Sequence, residues 1–314
     1  MNLNTILVAV FVPVILAITA AVWAWTGSTG WQERQLMTLA RRRNLAVPDH
    51  LEAELLRHVT RRQRSWTVGF GLASLVVFVP ASLVLPESGS ELGPMMIVLA
   101  FAAGALAMTA TALVDRRRAV FGEARVGRLG GPTVRDLLSP AAIGVVSVAV
   151  AAAVGLAALA LLLPRRIDAA IAAATWAPLV STLAIMAVVT LLLWRIIATR
   201  IAASRPISGD ATTLAWSDAL RAESVSNLLI LPVFSSMLSI QFAIPTIATL
   251  LFPGWFQAFN VGMLVGLAVS LTVILVVHTT TSGGPGARHY QRRLWPELAA
   301  ATPSAAPAPA EGRA

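Results

Sequence analysis

The chain predicts an all-α, polytopic transmembrane bundle of about seven helices, with the N-terminus outside and the C-terminus cytoplasmic. Three observations carry this expectation. Hydrophobic residues fill 57% of the 314 positions and charged residues only 12%, against about 45–50% and about 25% in soluble globular domains. The apolar residues are gathered in long blocks. Every basic side chain is an arginine, and the arginines cluster in alternate connections between the blocks.

Seven blocks are long enough to cross hydrocarbon about 30 Å thick, which takes about 20 apolar residues as a helix. They span 5–26, 66–86, 94–114, 140–163, 177–198, 225–252 and 258–278. None carries a charge at its middle. Backbone groups in lipid must be satisfied within a helix or a closed barrel. The blocks are continuous and lack the period-two alternation of barrel strands, so the helix is expected. The first block has no Lys or Arg before it and is long for a signal peptide, which predicts an uncleaved anchor.

The arginines set the orientation. With the N-terminus outside, connections 27–65, 115–139 and 199–224 and the tail hold 8, 6, 3 and 4 of them, and Arg195 stands at a helix end. That places 22 of 24 inside, leaving Arg165 and Arg166 outside, as the positive-inside rule requires of a plasma-membrane protein. Trp23, Trp25, Trp66, Trp176, Trp194 and Trp255 fall near block ends, where indoles favour the headgroup layer.

Residues 1–26 are thus a first transmembrane helix, 27–65 an Arg-rich cytoplasmic segment, 66–278 a six-helix core and 279–314 a tail. In the second segment, Asp49 and Glu52 stand three apart beside Pro48, as at the start of a helix. Leu51, Leu55 and Val59 then share a face. This predicts an interfacial amphipathic helix leading to Trp66. Arg41, Arg42, Arg43, Arg57, Arg61, Arg62 and Arg64 are expected at anionic lipid headgroups, each contributing about 1 kcal/mol. No groove-reading motif or stacking aromatic array accompanies them, so no nucleic acid is expected.

Several chemistries are excluded by composition. Without cysteine there is no disulfide, thiolate nucleophile or Cys-ligated metal. Without lysine there is no retinal Schiff base and no Walker A loop. His50 and His58 are too far apart for an i, i+4 metal pair. "ISGD", Ile207 to Asp210, reads as a turn. "LVDRRR", Leu113 to Arg118, resembles the D-R-x-G-R-R loop of facilitator transporters but lacks its Gly, and reads as a stop signal. No catalytic residue, metal site or cofactor is expected.

Two features remain within the apolar blocks. The sixth block sets Ser235, Ser239, Thr246 and Thr249 within about 40° of one line at 100° per residue, with Asn227 and Gln241 adding amides. Ile230, Val233, Met237, Ile244, Ala248 and Leu251 fill the opposite face, and Pro232 and Pro245 are expected to interrupt the helix and free carbonyls. This stripe either lines a path or bonds its own backbone and a neighbouring helix. In the seventh block Ala258, Gly262, Gly266 and Ser270 form a small-residue ladder that lets another helix approach closely. Packing within the bundle is favoured over dimerisation.

A faint echo relates "VRDLLSP" and "SDALRAESVSNLLILP", each an Asp-containing turn before a Pro-bearing helix. The tail is rich in Gly, Pro, Ala and Ser and is expected to be mostly disordered. The all-Arg basicity, the Ala/Val/Leu-rich blocks and the "ARRRNLAVP" and "SDALRAESV" connections together resemble uncharacterised multi-pass membrane proteins of actinobacterial type. The resemblance implies seven-helix topology in the plasma membrane and brings no activity. Two functions stay open. One is a non-catalytic membrane subunit or scaffold that meets membrane or cytoplasmic protein partners through its Arg-rich face. The other is a permease-like transporter component with the sixth block lining the path.

Overall fold

The computed structural model describes residues 3–84, 131–163, 167–203, 210–252, 257–281 and 288–297. Among them every regular element is a helix. In chain order these are α1 (Leu3–Thr26), α2 (Thr29–Arg43), α3 (Asp49–Val84), α4 (Val134–Leu137) and α5 (Pro140–Leu162). There follow α6 (Ile167–Ala202), α7 (Ala211–Leu228), α8 (Ile230–Leu251), α9 (Ala258–Thr281) and α10 (His289–Leu294).

Helices α5, α8 and α9 and the 177–202 part of α6 are long and apolar enough to cross a membrane, α7 continuing into α8. They coincide with the last four predicted blocks. The first block falls within α1, and the second, as far as Val84, within α3. The block at 94–114 and the "LVDRRR" stretch lie outside the described residues.

The predicted Arg-rich segment is more helical than expected. Arg41, Arg42 and Arg43 form the last turn of α2, where cations favour the helix dipole. Asn44 then takes a left-handed conformation, φ 49° and ψ 45°, which Asn tolerates better than most residues. The Leu45 N–H returns to the Ala40 carbonyl, closing the turn. α3 begins at Asp49 as predicted, but it does not end at residue 65. It runs on for 36 residues, about 54 Å at 1.5 Å per residue. The amphipathic stretch and the second apolar block are one rod, because nothing between Arg64 and Trp66 breaks helical hydrogen bonding.

The connection expected at 199–224 is also largely helix. Asp210, the end of "ISGD", caps α7 by accepting from the Thr213 N–H at 2.9 Å. Pro232 does not interrupt α8. It sits in the first turn, where its missing N–H would have had no intrahelical partner. Pro245 is the proline inside α8.

α8 is the central helix of the bundle, packing against α5, α6 and α9. The most apolar window of α7–α8 is 67% buried, against 17% in α9. The face opposite the hydroxyl stripe is covered only in part: Val233 and Met237 are buried, whereas Ile230 and Leu251 at the two ends are exposed. α5, α6 and α9 turn Val148, Leu162, Ile185, Leu264 and Leu275 outward, an apolar belt compatible with a bilayer. Separately, α1 lies along α3.

The largest core cluster is not at the middle of the spans. It lies at the arginine-rich end, where Leu36, Leu39, Leu45 and Leu55 of the α2–α3 turn pack with Leu137, Ile201, Trp216, Leu228 and Tyr290. Between helices surrounded by lipid there is no hydrophobic gain on association. At an end facing water, apolar burial is favourable at about 25 cal/mol per Å².

Candidate functional site

The candidate site is the polar network laid over that end core. It is assembled from segments that are far apart in sequence. α7 supplies Asp218, Arg221 and Glu223, α2 and its turn supply Arg43 and Ala46, α3 supplies Arg62, and α10 supplies Tyr290 and Gln291, with Trp295 just after it.

Each contact joins two elements or stiffens one. Arg62 Nη1 donates to Glu223 Oε1 at 2.7 Å, linking α3 to α7. Arg221, 1% exposed, pairs with Asp218 at 3.1 Å within α7. The Trp295 indole donates to the other Asp218 oxygen at 3.2 Å. The Trp216 indole donates to the Ala46 carbonyl at 2.9 Å. Gln291 donates its amide to the Arg43 carbonyl, and the Arg43 guanidinium lies over the Tyr290 ring, 5.5 Å from its centroid. The "ARRRNLAVP" and "SDALRAESV" stretches thus meet in space, with the tail segment between them.

α4 supports the same end. Asp136 accepts from the Thr133 N–H and hydroxyl at 2.9 and 2.7 Å and pairs with Arg293 at 3.6 Å. His289 Nε2 meets the Arg135 carbonyl at 2.9 Å. Burial acts to raise the Asp136 carboxyl, but its Thr133 hydrogen bonds and the Arg293 charge outweigh it and hold the group below the ordinary carboxylate value. Tyr290 is pushed the other way. Burial, with the Asp218 and Glu223 charges, raises it far above the ordinary phenol value against the pull of Arg43, so its ring presents a neutral hydroxyl. The Gln291 side chain stands beside that hydroxyl and pulls the other way, and the Glu223 Oε2 is buried with no hydrogen bond among the described residues.

The seven predicted lipid-facing arginines divide. Arg41, Arg42, Arg57 and Arg61 are exposed, Arg57 also bonding the Ala53 carbonyl. Arg43, Arg62 and Arg64 turn toward the protein, Arg64 over the Trp23 ring at 5.0 Å. Arg62 and Arg64, two residues apart on α3, face α7 and α1, and Arg43, at the end of α2, lies against α10. Trp194, expected at a headgroup layer, is instead buried and donates to the Val225 carbonyl.

The sixth-block stripe is brought together on α8, and each of its hydroxyls is bonded to backbone. Ser235 donates to Leu231, Thr246 to Phe242 and Thr249 to Pro245, all one turn back. Ser239 reaches the Val180 carbonyl of α6. Gln241 donates to the Met263 carbonyl of α9. The Asn227 amide nitrogen, in α7, is buried without a hydrogen-bond partner among the described residues.

The small-residue ladder faces α8. Ala258, Gly262, Gly266 and Ser270 are all buried. A Cβ on Gly262 would stand 2.5 Å from Pro245 Cα, and one on Gly266 would stand 3.2 Å from the Gln241 carbonyl oxygen. That carbonyl is the one Pro245 cannot serve as a donor, four residues on. Ser270 donates to the Met237 carbonyl.

Sequence reading missed Asp218, Arg221, Glu223, Tyr290, Gln291 and Trp295 as site residues. Tyr290 is the single tyrosine of the chain, and "HYQRRLW" is the one aromatic, polar run in a Gly/Pro/Ala tail. That contrast was the available signal. Among the described residues no group of three or more His, Asp or Glu is placed to hold a metal ion. What the network can do is hold separate segments in one arrangement.

These elements define a class: an all-helical chain whose four long apolar helices are compatible with an integral membrane protein. No known protein family, curated protein or solved structure matches the chain.

Proposed function

We propose that the chain is a non-catalytic, multi-pass subunit of the plasma membrane whose arginine-rich cytoplasmic end is a preassembled platform for a protein partner. The observation that supports this is the position of the main core. Side chains from α2, α3, α4, α7 and α10 lock together at the basic end, and Arg41, Arg42, Arg57 and Arg61 project from the locked surface. Rigid presentation lowers the ordering cost of association, and an excess of positive charge steers an acidic partner. The full topology of this reading has seven membrane helices, an outside N-terminus and an inside C-terminus, and follows from the arginine distribution. Anionic headgroups are the platform's second contact.

The permease reading, with α8 lining a path, draws less support, because the hydroxyls of its stripe are accepted by carbonyls of α8 and α6. The platform is tested by photo-crosslinking in intact cells from positions 42, 57 and 61, with position 264 on the apolar belt as control. One protein adduct of the same mass from all three basic positions, absent at 264, is expected. Lipid adducts alone would defeat the reading.

A further inference from the structure

α7 continues into α8 as a span of 41 residues. At 1.5 Å per residue that is about 61 Å, about twice the thickness of bilayer hydrocarbon. Half of it must stand outside. That half is α7, which carries Asp218, Arg221 and Glu223, whereas the 22 residues of α8 are free of charge and fill the hydrocarbon. α7 therefore projects about 27 Å beyond an apolar edge at Leu228, and a tilt of about 20° removes less than about a tenth of that.

The first half of α3 stands beside it. Arg62 meets Glu223 at 2.7 Å. At the far end of α7, Asp210 is held below the ordinary carboxylate value by its Thr213 bonds and, more weakly, by the His50 charge of α3. From His50 to Arg62 is about 18 Å along α3, and from Asp210 to Glu223 about 20 Å along α7. The intervals match, so this stretch runs upright along α7. It does not lie in the membrane plane, as its amphipathic pattern predicts. Arg64 then stands about 5 Å beyond the apolar edge, Arg62 about 8 Å, Arg57 about 15 Å and His50 about 26 Å. Headgroups fill about 5–7 Å beyond the hydrocarbon, and attraction to anionic lipid fades within a Debye length of about 8 Å. Arg57 is at the limit of that reach and His50 is outside it.

At the near level, aromatic and basic groups come together. Arg64 lies over the Trp23 ring at 5.0 Å, and Trp23 keeps 42% exposure. Trp25 is 64% exposed, its ring 6.3 Å from that of Trp31. Arg61 is exposed close by on α3. Indoles favour the headgroup layer, and arginines recognise phosphate.

We propose that anionic headgroups bind at a collar formed by Arg61, Arg64, Trp23 and Trp25, and that α3 from Arg57 to Asp49 stands clear of the lipid. The collar rests on the multi-pass reading above and is independent of its protein partner. It confines the lipid contact of the basic end to one level.

The test uses the full chain in vesicles. Single cysteines at Val68, Arg61, Arg57, Glu54 and His50, all exposed on one stripe of α3, carry a fluorescent maleimide. Nitroxide on the choline headgroup should quench strongly at 68 and 61, weakly at 57 and not at 54 or 50. Even quenching from 50 to 61 would lay the helix in the interface and overturn the upright placement. No quenching at 68 would take α3 out of the bilayer, and with it both the multi-pass reading and the collar. A second measurement uses Val68→Cys with nitroxide near the headgroup of phosphatidylglycerol or of phosphatidylcholine at equal content. Phosphatidylglycerol should quench more, by up to about fivefold. Arg61→Gln with Arg64→Gln should erase the excess, and Arg57→Gln should keep it. Equal quenching by the two lipids with both arginines present, or an excess that survives the double replacement, would overturn the collar.

Discussion

Arg62 and Glu223 show how much a single contact between elements carries. The pair is about four-fifths buried on both sides, at 20% and 19% exposure, between the exposed pairs that contribute little and the fully buried pairs whose breakage is severe. Arg62→Gln is expected to lower stability by about 1–2 kcal/mol, and a double variant with Glu223→Gln should lose less than the two singles combined. Thermal unfolding in detergent checks this; strict additivity would show that the pair is not coupled. Asp136 gives a pH signature. Its folded value is depressed, so its contribution is present above the unfolded value of about 3.9 and is lost as pH falls through the lower folded value. The melting-point gap between wild type and Asp136→Asn should be open at neutral pH and close below about pH 4. A gap that persists in acid would assign the stabilisation to something other than the carboxylate.

Among the helices, the α8–α9 contact is the most sharply constrained. Gly262 meets backbone, Pro245 Cα, which cannot move aside, whereas Gly266 meets a carbonyl at a milder distance. Gly262→Ala should therefore cost about 1–3 kcal/mol, and Gly266→Ala less. Gly155→Ala has open space around it and should be neutral or stabilising by about 0.5–1 kcal/mol. Melting of the three variants checks the order; an equal response would remove the close approach. The α8 hydroxyls give a second test at this scale. With no native cysteine, Ser235→Cys, Ser239→Cys and Thr246→Cys should resist a membrane-impermeant maleimide until denaturation, while Arg57→Cys labels readily. Labelling of several α8 positions in the folded chain would restore the permease reading.

Across the molecule, the arginine asymmetry and the structure address different questions. The asymmetry predicts a side, and the structure gathers α2, α4, α7 and α10 at one end. A reporter active only outside the cytoplasm, fused after Ala314, is expected to be silent, and the same reporter in the α6–α7 connection should be silent too. Activity at either position would invert the platform.

The sequence by itself determined the helical class and the positions of α5, α6, α8 and α9, because hydropathy over about 20 residues is a local property that lipid reads directly. It also determined the start of α3 at Asp49, which depends on neighbours within one turn. It did not determine that "SDALRAESV" is helix or that Tyr290 closes over Arg43. Those outcomes depend on partners some 150–250 residues away in the chain, and no local pattern encodes which distant segment will satisfy a buried polar group. The tertiary structure alone decided which arginines face outward and which hold the protein together, since an arginine on a helix carries the same charge in either role until a ring or carboxylate is packed against it.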